Sequence, residues 1–318
     1  MIYSLIFPGQ GSQEVGMGKD LADAYPVARE VFQRVDDALS FPLSGTIFDG
    51  PEEELKRTAL TQPALLAASI ACFEVLKERA GEPLIPHFLA GHSLGEYTAL
   101  VAGGTLSLED GARLVHLRGR LMQEAVPEGK GAMAAILGLD PAVVEEICRE
   151  GAPLGECQPA NFNSPGQVVV SGETDFVKGV MGLAKERGAK RVVPLNVSAP
   201  FHSRQMRPVA DKLLEAFGEC SWKNPSAPIV SNAWAEPVST VEEILRALFD
   251  QTFHPVLWCD SVSFMADRGV QGFLEIGPGT VLAGLVKKCR KGLAVRSFGR
   301  LEEIESALSF LKGESSND

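Results

Sequence analysis

The sequence has little with which to hold a metal or close a disulfide. Its six cysteines, Cys72, Cys148, Cys157, Cys220, Cys259 and Cys289, are scattered, with no CxxC and no metal-ligand spacing. That pattern points to free thiols in a reducing compartment, the cytoplasm. A targeting signal is also missing, since Met1-Ile2-Tyr3-Ser4-Leu5-Ile6-Phe7-Pro8 has no basic region and soon meets Pro8-Gly9. No apolar run approaches the ~18 residues of a membrane span. There is no repeat, and the only low-complexity stretch is the tail Gly313–Asp318, which is expected to fray. Positive charge is in deficit, with a net charge of −11, which disfavours nucleic acid as a partner. What remains is ordinary globular material: 318 residues, 45% hydrophobic and 22% charged, enough for two domains or one large domain with an insertion.

The charge is unevenly spread. Lys178, Lys185, Arg187, Lys190, Arg191, Arg204 and Arg207 are opposed only by Glu186, and Gly277–Arg300 carries six basic residues and no acid. Either stretch is a solvated face or a docking site for an anionic partner. Along the chain, apolar strand-like segments at Ile2–Phe7, His87–Ala90, Pro228–Ser231 and Gly272–Ile276 alternate with helical patterns at Pro63–Ala80, Glu96–Ala102, Leu108–Ala125, Ser203–Phe217 and Val241–Phe249. Ser107 is placed to cap its helix. This predicts an α/β protein with a mainly parallel sheet covered on both faces. Between Gly131 and Val197 the order reads β-α-β-α-β, with strands at Gly131–Leu137, Gln167–Ser171 and Arg191–Val197, which suggests an inserted ferredoxin-like α+β subdomain.

Chemistry concentrates at Gly91-His92-Ser93-Leu94-Gly95, a G-x-S-x-G between an apolar strand and a helix. In that setting the motif predicts a nucleophile elbow, with Ser93 at a helix N-terminus and the Leu94 amide free to donate. A serine hydroxyl needs a base, and the chain has five histidines. His92 lies inside the elbow, so its side chain should point away from the Ser93 hydroxyl. His87 begins a strand, and His116, among Arg113, Arg118 and Arg120, suits a surface role. His202 and His254 remain, with His202 favoured by its strand-to-helix junction. Pro8-Gly9-Gln10-Gly11-Ser12-Gln13 does not complete a phosphate loop, and reads better as a turn whose Gln10 amide forms a second oxyanion donor. Arg118 would match a carboxylate bidentately if it is buried near Ser93.

Taken together, the sequence resembles the malonyl-CoA:acyl carrier protein transacylases, the acyltransferase family of bacterial fatty acid synthesis. The resemblance runs nearly end to end, through Phe7-Pro8-Gly9-Gln10-Gly11-Ser12-Gln13, Thr61-Gln62-Pro63-Ala64-Leu65, Gly91-His92-Ser93-Leu94-Gly95-Glu96-Tyr97, Arg118, Asn161-Phe162-Asn163-Ser164-Pro165-Gly166-Gln167, Ser198-Ala199-Pro200-Phe201-His202-Ser203 and Glu275-Ile276-Gly277-Pro278-Gly279. It implies a hydrolase-like core from residues 1–127 and 198–318 and a ferredoxin-like subdomain at 128–197. It further implies Ser93 as nucleophile, His202 as base, Gln10 and Leu94 as oxyanion donors, and Arg118 as the site of the malonyl carboxylate. Phe201, His92 and Met122 would wall the substrate, and Phe201 would disfavour an α-methyl group. A Gln251 backbone carbonyl would hold His202, which would explain why no triad acid is evident. The implied partners are malonyl-CoA and an acidic, phosphopantetheinylated acyl carrier protein, with Lys190 and Arg191 as docking residues. No metal, bound cofactor, nucleic acid or membrane is implied, and His254 receives no role. The rival readings are a serine hydrolase, which gives no reason for Arg118, a polyketide acyltransferase, and a non-catalytic malonyl-CoA sensor.

Overall fold

Strand β1 (Tyr3–Phe7) alternates strictly: Leu5 and Phe7 enter one apolar cluster and Ile6 another, all fully buried. A strand with both faces apolar belongs in the middle of a sheet that is covered on both sides. The computed structural model describes residues 1–152, 156–197 and 199–314. Ser198, where the core is expected to resume, and the tail from 315 onward lie outside the described residues.

After β1 come α1 (Lys19–Ala24), α2 (Pro26–Leu39), α3 (Leu43–Asp49), α4 (Glu52–Leu55) and the long α5 (Thr58–Ala80). Then follow β2 (Leu89–Gly91), α6 (Leu94–Ala102) and α7 (Leu108–Glu124). A second unit comprises β3 (Gly131–Leu137), α8 (Pro141–Gly151), β4 (Cys157–Ser164), β5 (Gln167–Glu173), α9 (Thr174–Glu186) and β6 (Arg191–Pro194). The chain returns through a 3-10 turn at Arg204–Met206 to α10 (Arg207–Phe217), β7 (Ile229–Val230), β8 (Pro237–Val238), α11 (Val241–Phe253) and α12 (Trp258–Asp267). It ends with β9 (Gly272–Ile276), α13 (Val281–Cys289), β10 (Ala294–Phe298) and α14 (Ile304–Lys312).

The main sheet has six strands in the order β10-β9-β1-β2-β7-β8, parallel throughout except for the β7–β8 edge pair. The predicted α/β class with a mainly parallel sheet is what the structure has. The second sheet is antiparallel, in the order β4-β5-β3-β6, and its chain order is βαββαβ. That interleaving is ferredoxin-like. The predicted β-α-β-α-β lacked β4. Its sequence, Cys157-Gln158-Pro159-Ala160-Asn161-Phe162-Asn163-Ser164, is poor in strand formers, and Pro159 is tolerated because β4 is an edge strand with two register shifts. The strand also ties this unit to the core: Val256 N–H donates to Ala160 O (2.8 Å) and Phe162 N–H to Val256 O (2.9 Å).

Helix α5 departs from expectation in two ways. It begins at Thr58, ahead of Pro63, and over 18 residues its mean hydropathy of 1.6 meets the length and apolarity of a membrane span. Within that window 83% of the helix is buried in the protein, so it is the central core helix. Pro63 has no N–H for the Ala59 carbonyl, and His116 Nδ1 of α7 donates to that carbonyl at 2.9 Å. His116 is therefore a half-buried tie between helices rather than a surface residue. Ser107 caps α7 as predicted, its Oγ accepting from Asp110 N–H at 3.0 Å.

Candidate active site

The end of β2 turns abruptly into α6, and the turn is possible because two residues lack side chains. A Cβ on Gly91 would lie 2.0 Å from the backbone of Gly95, and one on Gly95 would lie 2.1 Å from Phe7 O. The glycines thus let the turn close on itself and let α6 sit on β1. Ser93, between them, has φ 52° and ψ −105°, a strained conformation for a residue with a Cβ. Both sides of its peptide unit are held. Its N–H donates to Asn232 Oδ1 (2.7 Å) and its C=O accepts from Gln251 Nε2 (2.9 Å).

Ser93 Oγ lies 2.7 Å from His202 Nε2. His202 Nδ1 lies 2.8 Å from the Gln251 backbone carbonyl, which accepts only, so Nδ1 carries the proton and Nε2 is left as the acceptor for the serine hydroxyl. Burial first, and Arg118 second, hold the imidazole well below its ordinary range, down to about 3. A neutral imidazole is the form a general base requires. His254, in contrast, is exposed at the end of α11, its Nδ1 against Asp250 O at 3.1 Å.

Arg118, from the middle of α7, is only 1% exposed. Its Nη1 donates to Gln62 Oε1 (2.8 Å), and its Nη2 to Gln251 Oε1 (3.0 Å) and Ser93 Oγ (3.1 Å). The guanidinium also lies 5.3 Å over the Tyr97 ring. Among the described residues its Nε is buried with no hydrogen-bond partner. A buried guanidinium whose direct hydrogen-bond partners are all neutral can still take an anionic group in its fork.

These groups open onto a cavity of about 100 Å³ lined by Gln10, Ser93, Leu94, Arg118, Phe201 and His202 among others. Met122 and His92 also line it, so all the predicted serine-site residues except Gln251 border one space, and Gln251 stands directly behind. His92 is turned away from the hydroxyl, as expected: its Nε2 lies 2.7 Å from Asn163 Oδ1, and its ring leans on Trp258. Lys190 and Arg191 lie elsewhere, exposed at the start of β6. Lys190 borders a groove of about 510 Å³ whose other wall carries Lys288, so the two basic stretches of the sequence meet there.

Sequence reasoning gave no role to Gln62, Asn232 or Asn163. Gln62 was visible as a polar residue on an otherwise apolar helix. Asn163 stands in one of the motifs that carry the resemblance, but neither it nor Asn232 shows its role locally, because their partners are His92 and Ser93, distant in the chain.

A strained serine at a strand-to-helix turn, paired with a carbonyl-held histidine, defines a serine-dependent acyl-transferring class, and the chain matches the acyl transferase domain family over residues 4–307. It is 45% identical over 315 residues to the malonyl CoA-acyl carrier protein transacylase of Bacillus subtilis, covering 99% of this chain and 98% of the relative. With the enzyme of the same name from Escherichia coli K12 it shares 44% over 306 residues, covering 96% and 98%. Among solved structures, an acyl-carrier-protein-S-malonyltransferase from Bartonella henselae superposes with a TM-score of 0.95 at 46% identity, covering 98% of this chain and 100% of that one. A malonyl-transacylase in complex with its type II PKS acyl-carrier protein gives 0.94 at 44%, covering 98% and 100%. The chain belongs to the malonyl-CoA:acyl carrier protein transacylase family.

Proposed function

We propose that the protein transfers a malonyl group from malonyl-CoA to the phosphopantetheine thiol of an acyl carrier protein, through a malonyl ester on Ser93, for fatty acid synthesis in the cytoplasm. The observation that carries this reading is the buried Arg118 guanidinium 3.1 Å from Ser93 Oγ, where a carboxylate on the acyl group would meet it. The free state of all six cysteines fits a reducing compartment.

In the first half-reaction His202 Nε2 takes the Ser93 proton while Oγ attacks the thioester carbon. The nearby guanidinium favours the developing alkoxide. The oxyanion is received by the Gln10 and Leu94 backbone N–H groups, the latter at the open N-terminus of α6. Such a donor is worth about 3–4 kcal/mol in comparable acyl transfers. The C–S bond then breaks, and the leaving thiolate recovers the proton from His202. In the second half-reaction the carrier thiol gives its proton to His202 and attacks the ester. The C–O bond breaks, and Ser93 Oγ recovers the proton from His202. Phe201, 9% exposed on the cavity wall, narrows the space beside the acyl α-carbon and disfavours an α-methyl, an effect of about 1–3 kcal/mol.

Intact mass after mixing with malonyl-CoA tests the reading. An adduct of about 86 Da, lost in Ser93→Ala and not matched with acetyl-CoA, is expected. Steady release of free malonate without an adduct would mean that water is the acceptor and that the protein is a hydrolase.

We assign carrier docking to Lys190 and Arg191, joined by Lys288 across the groove. On a chain of net charge −11, a local basic face is what an acidic carrier needs for productive encounter. Charge reversal at Lys190 and Arg191 should raise the carrier KM roughly tenfold and leave Ser93 malonylation by malonyl-CoA unchanged. An unaltered carrier KM would remove this face from the docking site.

A further inference from the structure

A carboxylate that takes no part in the chemistry lies directly behind the serine. Glu96, in the first turn of α6, is 1% exposed. Its Oε2 accepts from Gln251 Nε2 (3.0 Å) and from the Asn232 backbone N–H (3.1 Å). These two residues are the ones that hold the Ser93 peptide from its two sides. Because the Gln251 amide nitrogen faces Glu96 and Ser93 O, its Oε1 must face Arg118, as observed at 3.0 Å. A flipped amide would set two donors against each other.

Arg118 touches Gln62, Ser93 and Gln251, none of them charged, while Glu96 acts on it from one amide away. Binding a carboxylate at Arg118 would bring a second negative charge to a cation already compensated. In a buried site the cheapest relief is to neutralise one of the two anions. Burial pushes the Glu96 carboxyl up to about 7, against the pull of Gln251, Asn232 and Arg118. The other titratable groups around it do not change charge near neutrality: Tyr97, on the same helix, is raised to about 12, and His202 is lowered to about 3. Burial lowers His92 as well.

We propose that Glu96 is the internal counter-anion of Arg118, that it takes up a proton when the substrate carboxylate occupies that arginine, and that it positions Ser93 through Gln251 and Asn232. This rests on the reading of Arg118 as the malonyl clamp. The sign follows from linkage: at low pH Glu96 is already neutral and malonyl-CoA binds best. As pH rises the proton must be recaptured on binding, and affinity falls by up to about tenfold per pH unit.

Calorimetric titration of Ser93→Ala with malonyl-CoA and acetyl-CoA, at pH 7 in two buffers of different ionisation heat, measures the proton count. Malonyl-CoA should take up a few tenths of a proton more than acetyl-CoA, which carries the same phosphates, and the excess should vanish when Glu96→Gln is added. Glu96→Gln alone keeps an acceptor for both N–H donors. Its melting temperature should match wild type, and its malonyl-CoA KM should be lower and flat from pH 6 to 8.5. A purely structural Glu96 would leave that pH dependence as in wild type. Equal proton uptake with the two thioesters, while malonyl-CoA still binds better, overturns the inference alone. Malonyl-CoA binding no tighter than acetyl-CoA overturns the clamp reading and the inference together.

Discussion

Replacing His202 with alanine is expected to lower kcat/KM for malonyl-CoA by about 10²- to 10⁴-fold, the range for a lost general base. The loss should fall on kcat, because the imidazole contacts the serine hydroxyl at 2.7 Å and the cavity wall beyond it is unchanged. Steady-state kinetics with a saturating carrier provide the check, and a loss below tenfold would remove His202 from the proton transfer. The wild-type pH profile carries a companion result. With the imidazole held near 3 by burial and by Arg118, kcat should not fall as pH is lowered through 6.5, where an ordinary histidine would protonate. An acid limb at that pH would mean that the site keeps His202 in a more solvated setting.

Arg118→Ala should have the second large effect, and a selective one. A carboxylate accepting two charge-assisted hydrogen bonds gains about 3–4 kcal/mol in total, so malonyl loading should fall by roughly 10²- to 10³-fold more than acetyl loading, which loses only what the guanidinium gives the serine oxygen. Rates of Ser93 adduct formation with each thioester, followed by mass, decide it. Equal losses for the two thioesters would show that the arginine serves the serine or the fold and not a substrate carboxylate. Lysine should not rescue, because one ammonium cannot reach Gln62, Gln251 and a substrate carboxylate with the geometry of the planar fork.

Much of this site was legible because its chemistry is written in local patterns. Gly91-His92-Ser93-Leu94-Gly95 between strand and helix specifies the elbow, and with only five histidines in the chain the base narrows to His202 or His254. The main sheet was legible for a similar reason: Ile2–Phe7 and Gly272–Ile276 are short, mostly apolar runs broken only by Ser4 and Glu275, as strands covered on both faces tend to be. The parts that were not legible depend on pairing at long range. Strand β4 has a polar sequence with a proline and forms because β5 and Val256 offer it partners. Helix α5 begins five residues ahead of Pro63, which reads locally as a helix start, because His116 satisfies the carbonyl that Pro63 leaves open. Helix α11 runs past the predicted Phe249 to Phe253, which puts the Gln251 carbonyl in its last turn, where it has no partner in its own helix and is free for His202. Lys288 belongs to the second basic stretch, and a charge run carries no address. Its place opposite Lys190 follows only from the packing of α13 near the second sheet.

The carbonyl that holds His202 has a bearing on direction. A carboxylate in that position would attract the imidazolium and hold the proton after it leaves the serine. A neutral carbonyl orients the ring and adds only a dipole, so the proton is surrendered as readily as it is taken up. The site then has no ratchet: acylation and deacylation run over the same ground with similar ease. Which thiol ends up carrying the acyl group is set by the relative amounts of the two thiols and their esters, as in a turnstile that moves with the crowd.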